Sequence, residues 1–175
     1  MEVERKFIID KEKLNISNFT LLDFRQFMQS YLVIDIPGEW AEVRVRKSRS
    51  PNRKETEYLL TKKGVGSIAR TEHNEEINLS YYNKLLKCGV IGRPIIKDRF
   101  TVKIMGLVTE IDVYHNELEG LAIAEIEFDY TNDLDIQTAK DFMLPKALQD
   151  IVVREVTSDH RYKNRELAIN GYPDR

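Results

Sequence analysis

Charged and apolar residues alternate through most of this chain, and charges of one sign recur two positions apart. "MEVERKF" sets Glu2, Glu4 and Lys6 at every second position, and "AEVRVRK" sets Glu42, Arg44 and Arg46 against Val43 and Val45. "EYLLTKKG" aligns Thr61 with Lys63, and "IIKDRFTVKI" aligns Lys97, Arg99, Thr101 and Lys103 against Ile96, Phe100, Val102 and Ile104. "TEIDVYH" separates Glu110, Asp112 and Tyr114 from Ile111 and Val113, and "AEIEFDY" separates Glu125, Glu127 and Asp129 from Ile126 and Phe128. Side chains that change face at every residue belong to strands, and half-polar strands belong to antiparallel sheets. Helical signals are fewer. They are "LSYYNKLLKCGV" with Ser80 as cap and Gly89 as stop, "DIQTAKDFMLP" ending before Pro145, and "TSDHRYKNRELAING" from Thr157 or Ser158 to near Gly171. The sum is an α+β chain built on a large antiparallel sheet.

A solvated sheet face shows the same alternation, but it mixes Thr, Ser, Gln, Lys and Glu. Here Glu2/Glu4, Arg44/Arg46, Lys97/Arg99 and Glu125/Glu127 are like-sign neighbours on one face. Such pairs repel unless a counter-charge lies between them. Acidic pairs suit a hard divalent cation with oxygen ligands, and basic pairs suit a polyanion, whose phosphate oxygens Arg grips in a forked geometry. Lys6, Arg44, Arg46, Lys63, Lys97 and Arg99 are balanced by Glu2, Glu4, Glu72, Asp112, Glu125 and Glu127. The ligand is therefore close to neutral overall, as is a triphosphate (about −4 to −5) carrying two divalent cations. A charged inner face with helices over the outer, apolar face points to a sheet closed into a barrel.

Composition narrows the alternatives. A chain of 175 residues with 42% hydrophobic residues predicts one globular domain, residues 1–175. The net charge of −2 gives no reason to expect nucleic acid as a partner. Cys88 is the one cysteine and His73, His115 and His160 are scattered, so neither a disulfide framework nor a zinc site is expected. No long apolar run is present, which predicts a cytoplasmic protein without a membrane partner. The polar stretch Lys47 to Glu57, with Pro51, reads as a solvated hairpin loop.

Seven of these segments, in order, resemble the motifs of the CYTH superfamily, the triphosphate tunnel metalloenzymes. "EVERKF" resembles the Glu-x-Glu-x-Lys signature, "VRVRK" the Arg-x-Arg strand, "LLTKKG" the Thr-x-Lys strand and "ARTEHNEEI" the acidic strand that begins with Arg70 and Glu72. "IKDRF", "EIDVY" and "AEIEF" follow, and "EVTSDHRYKN" looks like the closing segment of the small bacterial inorganic triphosphatases. The resemblance implies a closed antiparallel β-barrel of about eight strands, a tunnel with a charged lumen and helices outside. It implies hydrolysis of a triphosphate, most of all inorganic tripolyphosphate, to pyrophosphate and phosphate, with two Mg²⁺ or Mn²⁺ sites.

By the same resemblance, Glu2, Glu4, Glu72, Asp112, Glu125 and Glu127 bind metal, and Lys6, Arg44, Arg46, Lys63, Lys97 and Arg99 bind the phosphates. Glu2, Glu4, Lys6, Tyr31 and Glu127 are the catalytic set, with Tyr31 in "QSYLV" resembling a tunnel tyrosine. Arg161, Tyr162 and Lys163 lie in the closing segment, as tunnel-mouth or as structural residues. In "EHNEE" the second acidic position holds Asn74, so either Asn74 or Glu76 takes that role. The alternative activities are a class IV adenylate cyclase, a nucleoside or thiamine triphosphatase, and a polyphosphate- or nucleotide-binding module without turnover. A homodimer is left open.

Overall fold

A computed structural model describes residues 2–33, 40–64, 72–129 and 133–175, the side chains of residues 2, 3, 129 and 133–136 apart. The strands are β1 (Glu2–Ile9), β2 (Thr20–Leu32), β3 (Trp40–Arg49), β4 (Glu57–Gly64), β5 (Glu72–Glu76), β6 (Val90–Ile104), β7 (Leu107–Tyr114), β8 (Ala122–Asp129) and β9 (Val152–Glu155). The α-helices are α1 (Leu79–Cys88), α2 (Asp133–Asp141), α3 (Lys146–Gln149) and α4 (Asn164–Asn170). Each strand predicted from alternation is present, with β2 and β9 in addition.

The strands form one nine-stranded sheet in the order β5-β4-β3-β2-β6-β7-β8-β1-β9. This corrects the expected closed barrel of about eight strands, because the order has two ends, β5 and β9. Both ends are poor templates for further pairing. All five residues of β5, "EHNEE", are exposed and mostly charged, and β9 has only four residues. Short or charged edges are how sheets discourage pairing.

The chain divides into two compact units, one of Met1–Phe24 with Asp98–His160 and the other of Arg25–Lys97 with Arg161–Arg175. In the first, β1 runs antiparallel to β8, with Glu4 opposite Glu127, Lys6 opposite Glu125 and Phe7 opposite Ala124. Phe7, Ile9, Ala124, Ile126 and Phe128 bury their side chains in one core together with Leu148. That core occupies the apolar face that the alternation predicts. Arg5 interrupts that face. Its guanidinium donates to the carbonyl oxygens of Ala139 (3.2 Å) and Phe142 (2.8 Å), at the end of α2. It also donates in a fork to Glu155 of β9, at 3.0 and 2.7 Å. One cation thus satisfies carbonyls at a helix C-terminus and pins an edge strand.

In the second unit β2, β3, β4 and β5 pair in sequence order. Leu32, Val45, Leu60 and Tyr82 of α1 form its core. Helix α1 starts earlier than the predicted Ser80 cap, because the Asn78 side chain accepts from the Tyr81 backbone N–H at 2.9 Å. The predicted helix from Thr157 or Ser158 is instead a 3₁₀ turn, His160–Tyr162, followed by α4. Gly92 of β6 lets α4 approach: a Cβ there would sit 2.2 Å from the Ala168 carbonyl oxygen, at a φ of +69°. The polar stretch 47–57 is shorter as a loop than expected, since β3 runs to Arg49 and β4 starts at Glu57. Among the described residues no helix is long and apolar enough to cross a membrane.

Candidate active site

In the first unit the polar face of β1, β7 and β8 is buried at its centre and more open at Glu4, unlike an ordinary wet face. Lys6, Asp112 and Glu125 are all buried, Asp112 completely. Lys6 Nζ lies 2.6 Å from Glu125 Oε1 and 3.9 Å from Glu4 Oε1. Arg99 donates through Nε and Nη2 to the two oxygens of Asp112, both at 2.7 Å. The same guanidinium pairs with Glu110 and reaches within 3.8 Å of Glu125 Oε2. Two cations and four carboxylates therefore interlock.

Burial alone would push the Lys6 ammonium toward neutrality, but the charges of Glu125 and Glu4 outweigh it and hold its pKa above the ordinary value. Burial also opposes the charge on Arg99, and Asp112 more than compensates, raising its pKa further. Both side chains stay cationic. On β1 and β8 the register then brings Glu4 and Glu127 directly opposite each other. Like charges so placed destabilise a sheet unless a cation joins them.

The second unit carries a basic counterpart. Across β2, β3, β4 and β5, Tyr31, Arg44, Thr61 and Asn74 form one cross-strand row. Lys63 and Glu72 are opposite each other in the next row, with Nζ and Oε2 3.0 Å apart. Thr61 Oγ1 donates to Asn74 Oδ1 at 2.7 Å, and Asn74 Nδ2 donates to Glu72 Oε1 at 3.1 Å. Burial pushes the Glu72 carboxyl up, but hydrogen bonds from Lys63 and Asn74 outweigh it and hold the pKa below the ordinary value. Tyr31 is 1% exposed, and its hydroxyl oxygen accepts from Gln29 Nε2 at 3.0 Å. Arg44 Nε is buried with no hydrogen-bond partner among the described residues. A buried donor without an acceptor costs about 1–3 kcal/mol, and Tyr82 Oη and Thr109 Oγ1 are in the same condition among the described residues.

No protein-family model matches the sequence. The inorganic triphosphatase of Nitrosomonas europaea is 30% identical over 174 residues, covering 97% of each chain. That of Acetivibrio thermocellus is 31% identical over 172 residues, covering 98% of this chain and 95% of the other. The chain belongs to the inorganic triphosphatase family. As a triphosphatase it is a hydrolase acting on phosphoanhydride bonds. A crystal structure of an inorganic triphosphatase matches with a TM-score of 0.62 and 27% identity over 97% of this chain and 95% of that one. A putative adenylyl cyclase from Hippeastrum, 16% identical over 81% of this chain, matches with a TM-score of 0.53 and shares the fold alone. The resemblance to the triphosphate tunnel superfamily is borne out, without the closed barrel.

The structure brings the motif residues of this triphosphatase together in two groups. Glu4, Lys6, Arg99, Asp112 and Glu125 interlock in the first unit, and Arg44, Lys63 and Glu72 adjoin in the second. Lys97 is buried in the second unit. Arg46 stacks on the Phe27 ring, its Cζ 4.7 Å from the centroid. Glu2 pairs in register with Asp129, its side chain lying outside the description, as does Arg70 altogether. In the closing segment, Tyr162 is buried and its hydroxyl donates to Asp174 at 2.5 Å, the structural one of its two readings. The register places Asn74 opposite Thr61 and Glu76 one row away, opposite Leu59.

Sequence reasoning missed Glu110 as a partner of Arg99, although it shares the alternation of Asp112. It also missed Gln29, whose only signal is its spacing of two from Tyr31. Among the described residues, no group of three or more His, Cys, Asp or Glu side chains is arranged to hold a metal ion.

Proposed function

We propose that this triphosphatase hydrolyses inorganic tripolyphosphate to pyrophosphate and phosphate with Mg²⁺ or Mn²⁺. The observation that carries the reading is the cross-strand pair Glu4 and Glu127, set beside the buried Lys6–Glu125–Arg99 array. A pair of carboxylates fits Mg²⁺ better than a larger cage does, because that ion commonly takes one or two protein carboxylates and completes its shell with substrate phosphates and water. Glu4, half exposed, and Glu127 would hold the metal, with Glu2 proposed beside them from the sequence motif. A bound divalent ion supplies Lewis-acid charge at the phosphate oxygens and favours deprotonation of a bound water.

The chain's own groups position and neutralise. Lys6 is held cationic by Glu125 and Glu4, so it can face a phosphate oxygen without losing its charge. Arg99 keeps a fixed orientation because Asp112 takes both of its parallel N–H groups. Asp112 therefore acts through Arg99, with both oxygens already engaged. In the second unit Arg44, whose Nε has no hydrogen-bond partner among the described residues, is proposed with Arg46 and Lys63 as a phosphate-binding cation. Such prearranged donors stabilise charge that develops as the phosphoanhydride bond breaks. Alignment of the relatives over nearly the whole chain supports one catalytic domain, residues 1–175, and the lack of a described membrane-spanning helix is in keeping with a cytoplasmic enzyme.

The test is phosphate release from tripolyphosphate and ATP, with product chromatography. Turnover should vanish in EDTA, return with Mg²⁺ or Mn²⁺, favour tripolyphosphate and give no cyclic AMP. Full activity under thorough chelation would remove the metal from the reading, and cyclic AMP as the main product from ATP would replace it with a cyclase.

A further inference from the structure

At the Arg25 end of the second unit's basic face lies a cavity of about 290 Å³, lined by Arg25, Arg46, Ser48, Arg53, Glu57 and Glu76 among others. A larger cavity of about 710 Å³, lined by the loop residues Arg53 to Thr56, adjoins it and shares Arg53, Glu57, Tyr58 and Glu76. The Glu57 carboxylate sits where the two meet. Arg25 Nη1 donates to Glu57 Oε2 at 2.7 Å, Arg53 pairs with Glu57 Oε1, and Ser48 Oγ approaches Oε2 at 3.4 Å. Burial pushes the carboxyl up, but Arg53 and Arg25 outweigh it and keep it ionised.

We propose that this cavity is a second phosphate-binding station, in which a phosphate group displaces Glu57 from Arg25 and Arg53. Two guanidinium groups and a hydroxyl converging on one oxyanion match how proteins hold a phosphate, and a phosphate offers these donors more charge than a carboxylate does. The three arginines outnumber the two glutamates, so the lining accepts an added anion. Arg46 joins the station to the proposed triphosphate residues, since Arg44, Arg46 and Ser48 follow one another on a single strand face at steps of about 7 Å. The inference rests on the triphosphatase reading for its ligand class. That ligand is either orthophosphate released by hydrolysis or the terminal phosphate of a chain longer than tripolyphosphate.

The test titrates the full-length protein with orthophosphate in a metal-free buffer, each variant having first been shown to melt as the parent does. Glu57→Gln, which removes the internal competitor, should tighten the Kd about threefold or more, and Arg25→Gln should weaken it about tenfold. Arg53→Gln, on the exposed loop, gives the same direction should Arg25→Gln fail to fold. Glu55→Gln and Lys54→Gln make the same charge changes nearby and should move the Kd by less than about twofold.

With tetrapolyphosphate as substrate, a raised KM in Arg25→Gln at unchanged tripolyphosphate kcat/KM identifies a chain terminus as the ligand. An unchanged KM with weaker product inhibition by orthophosphate identifies the free ion. Shifts in Glu57→Gln and Arg25→Gln no larger than in the two controls would overturn the station. Opposite shifts in a protein that fails to cleave tripolyphosphate would leave the station standing and overturn the triphosphatase reading alone.

Discussion

Asp112 is completely buried and accepts both parallel hydrogen bonds of Arg99. Removing one member of such a pair strands the other charge in the interior. Asp112→Asn should therefore lose about 3–5 kcal/mol of stability, read as a lower denaturant midpoint, and lose activity with the orientation of Arg99. Stability within about 1 kcal/mol of the parent would show that the pair contributes little. Asp112 also marks how far single residues could be read. Alternation identified Lys6, Arg99, Asp112 and Glu125 as one class because it fixes which face each side chain leaves. It could not assign partners, which depend on strand register, and so it did not show Asp112 as the acceptor for Arg99. Arg25 was invisible for another reason: "TLLDFRQFMQ" carries isolated polar residues of both signs and no repeated charge.

At the scale of elements, the fork from Arg5 to Glu155 ties β9 to β1 and, through the same guanidinium, to the end of α2. The hydrogen bond from Arg5 holds the Glu155 carboxyl below its ordinary value of 4.5, against the opposing effect of burial. A carboxyl with a depressed folded-state pKa adds stability above its unfolded pKa and gives it up as pH falls through the folded one. The melting-temperature difference between the parent and Glu155→Gln should be full near neutral pH and shrink as pH drops below 4.5. A difference that does not change with pH would mean that the fork is packing without charge.

Element boundaries were less legible than element types. Helix α1 was predicted, but its cap moved to Asn78 because an Asx side chain reaching the Tyr81 N–H satisfies an open donor that Ser80, already inside the helix, cannot. Strand β9 was missed because four residues give too few alternations to read.

For the whole molecule, burying like charges leaves the empty protein less stable than its ligand-bound form. A ligand that binds only the native state adds RT ln(1 + [L]/Kd), about 2.7 kcal/mol at a hundredfold excess. Tripolyphosphate with Ca²⁺ should raise the melting temperature accordingly, and no shift at saturation would count against the charged faces as the binding site. Sheet closure was the one global expectation that failed. Alternation specifies two faces for each strand but says nothing of whether the last strand meets the first.

The position of β1 between β8 and β9 has a further consequence, in the order of synthesis. Phe7 lies opposite Ala124 on one side and Glu155 on the other. During translation at about 5–20 residues per second, β1 therefore waits on the order of ten seconds for its partners, which are made after it. In that interval its apolar Phe7, Ile8 and Ile9 are open to chaperones, while the meander from β2 to β5 already has its partners in hand. The first unit must thus mature late through long-range pairing, and a nascent chain arrested before Ala122 should still present β1 to a hydrophobic binder.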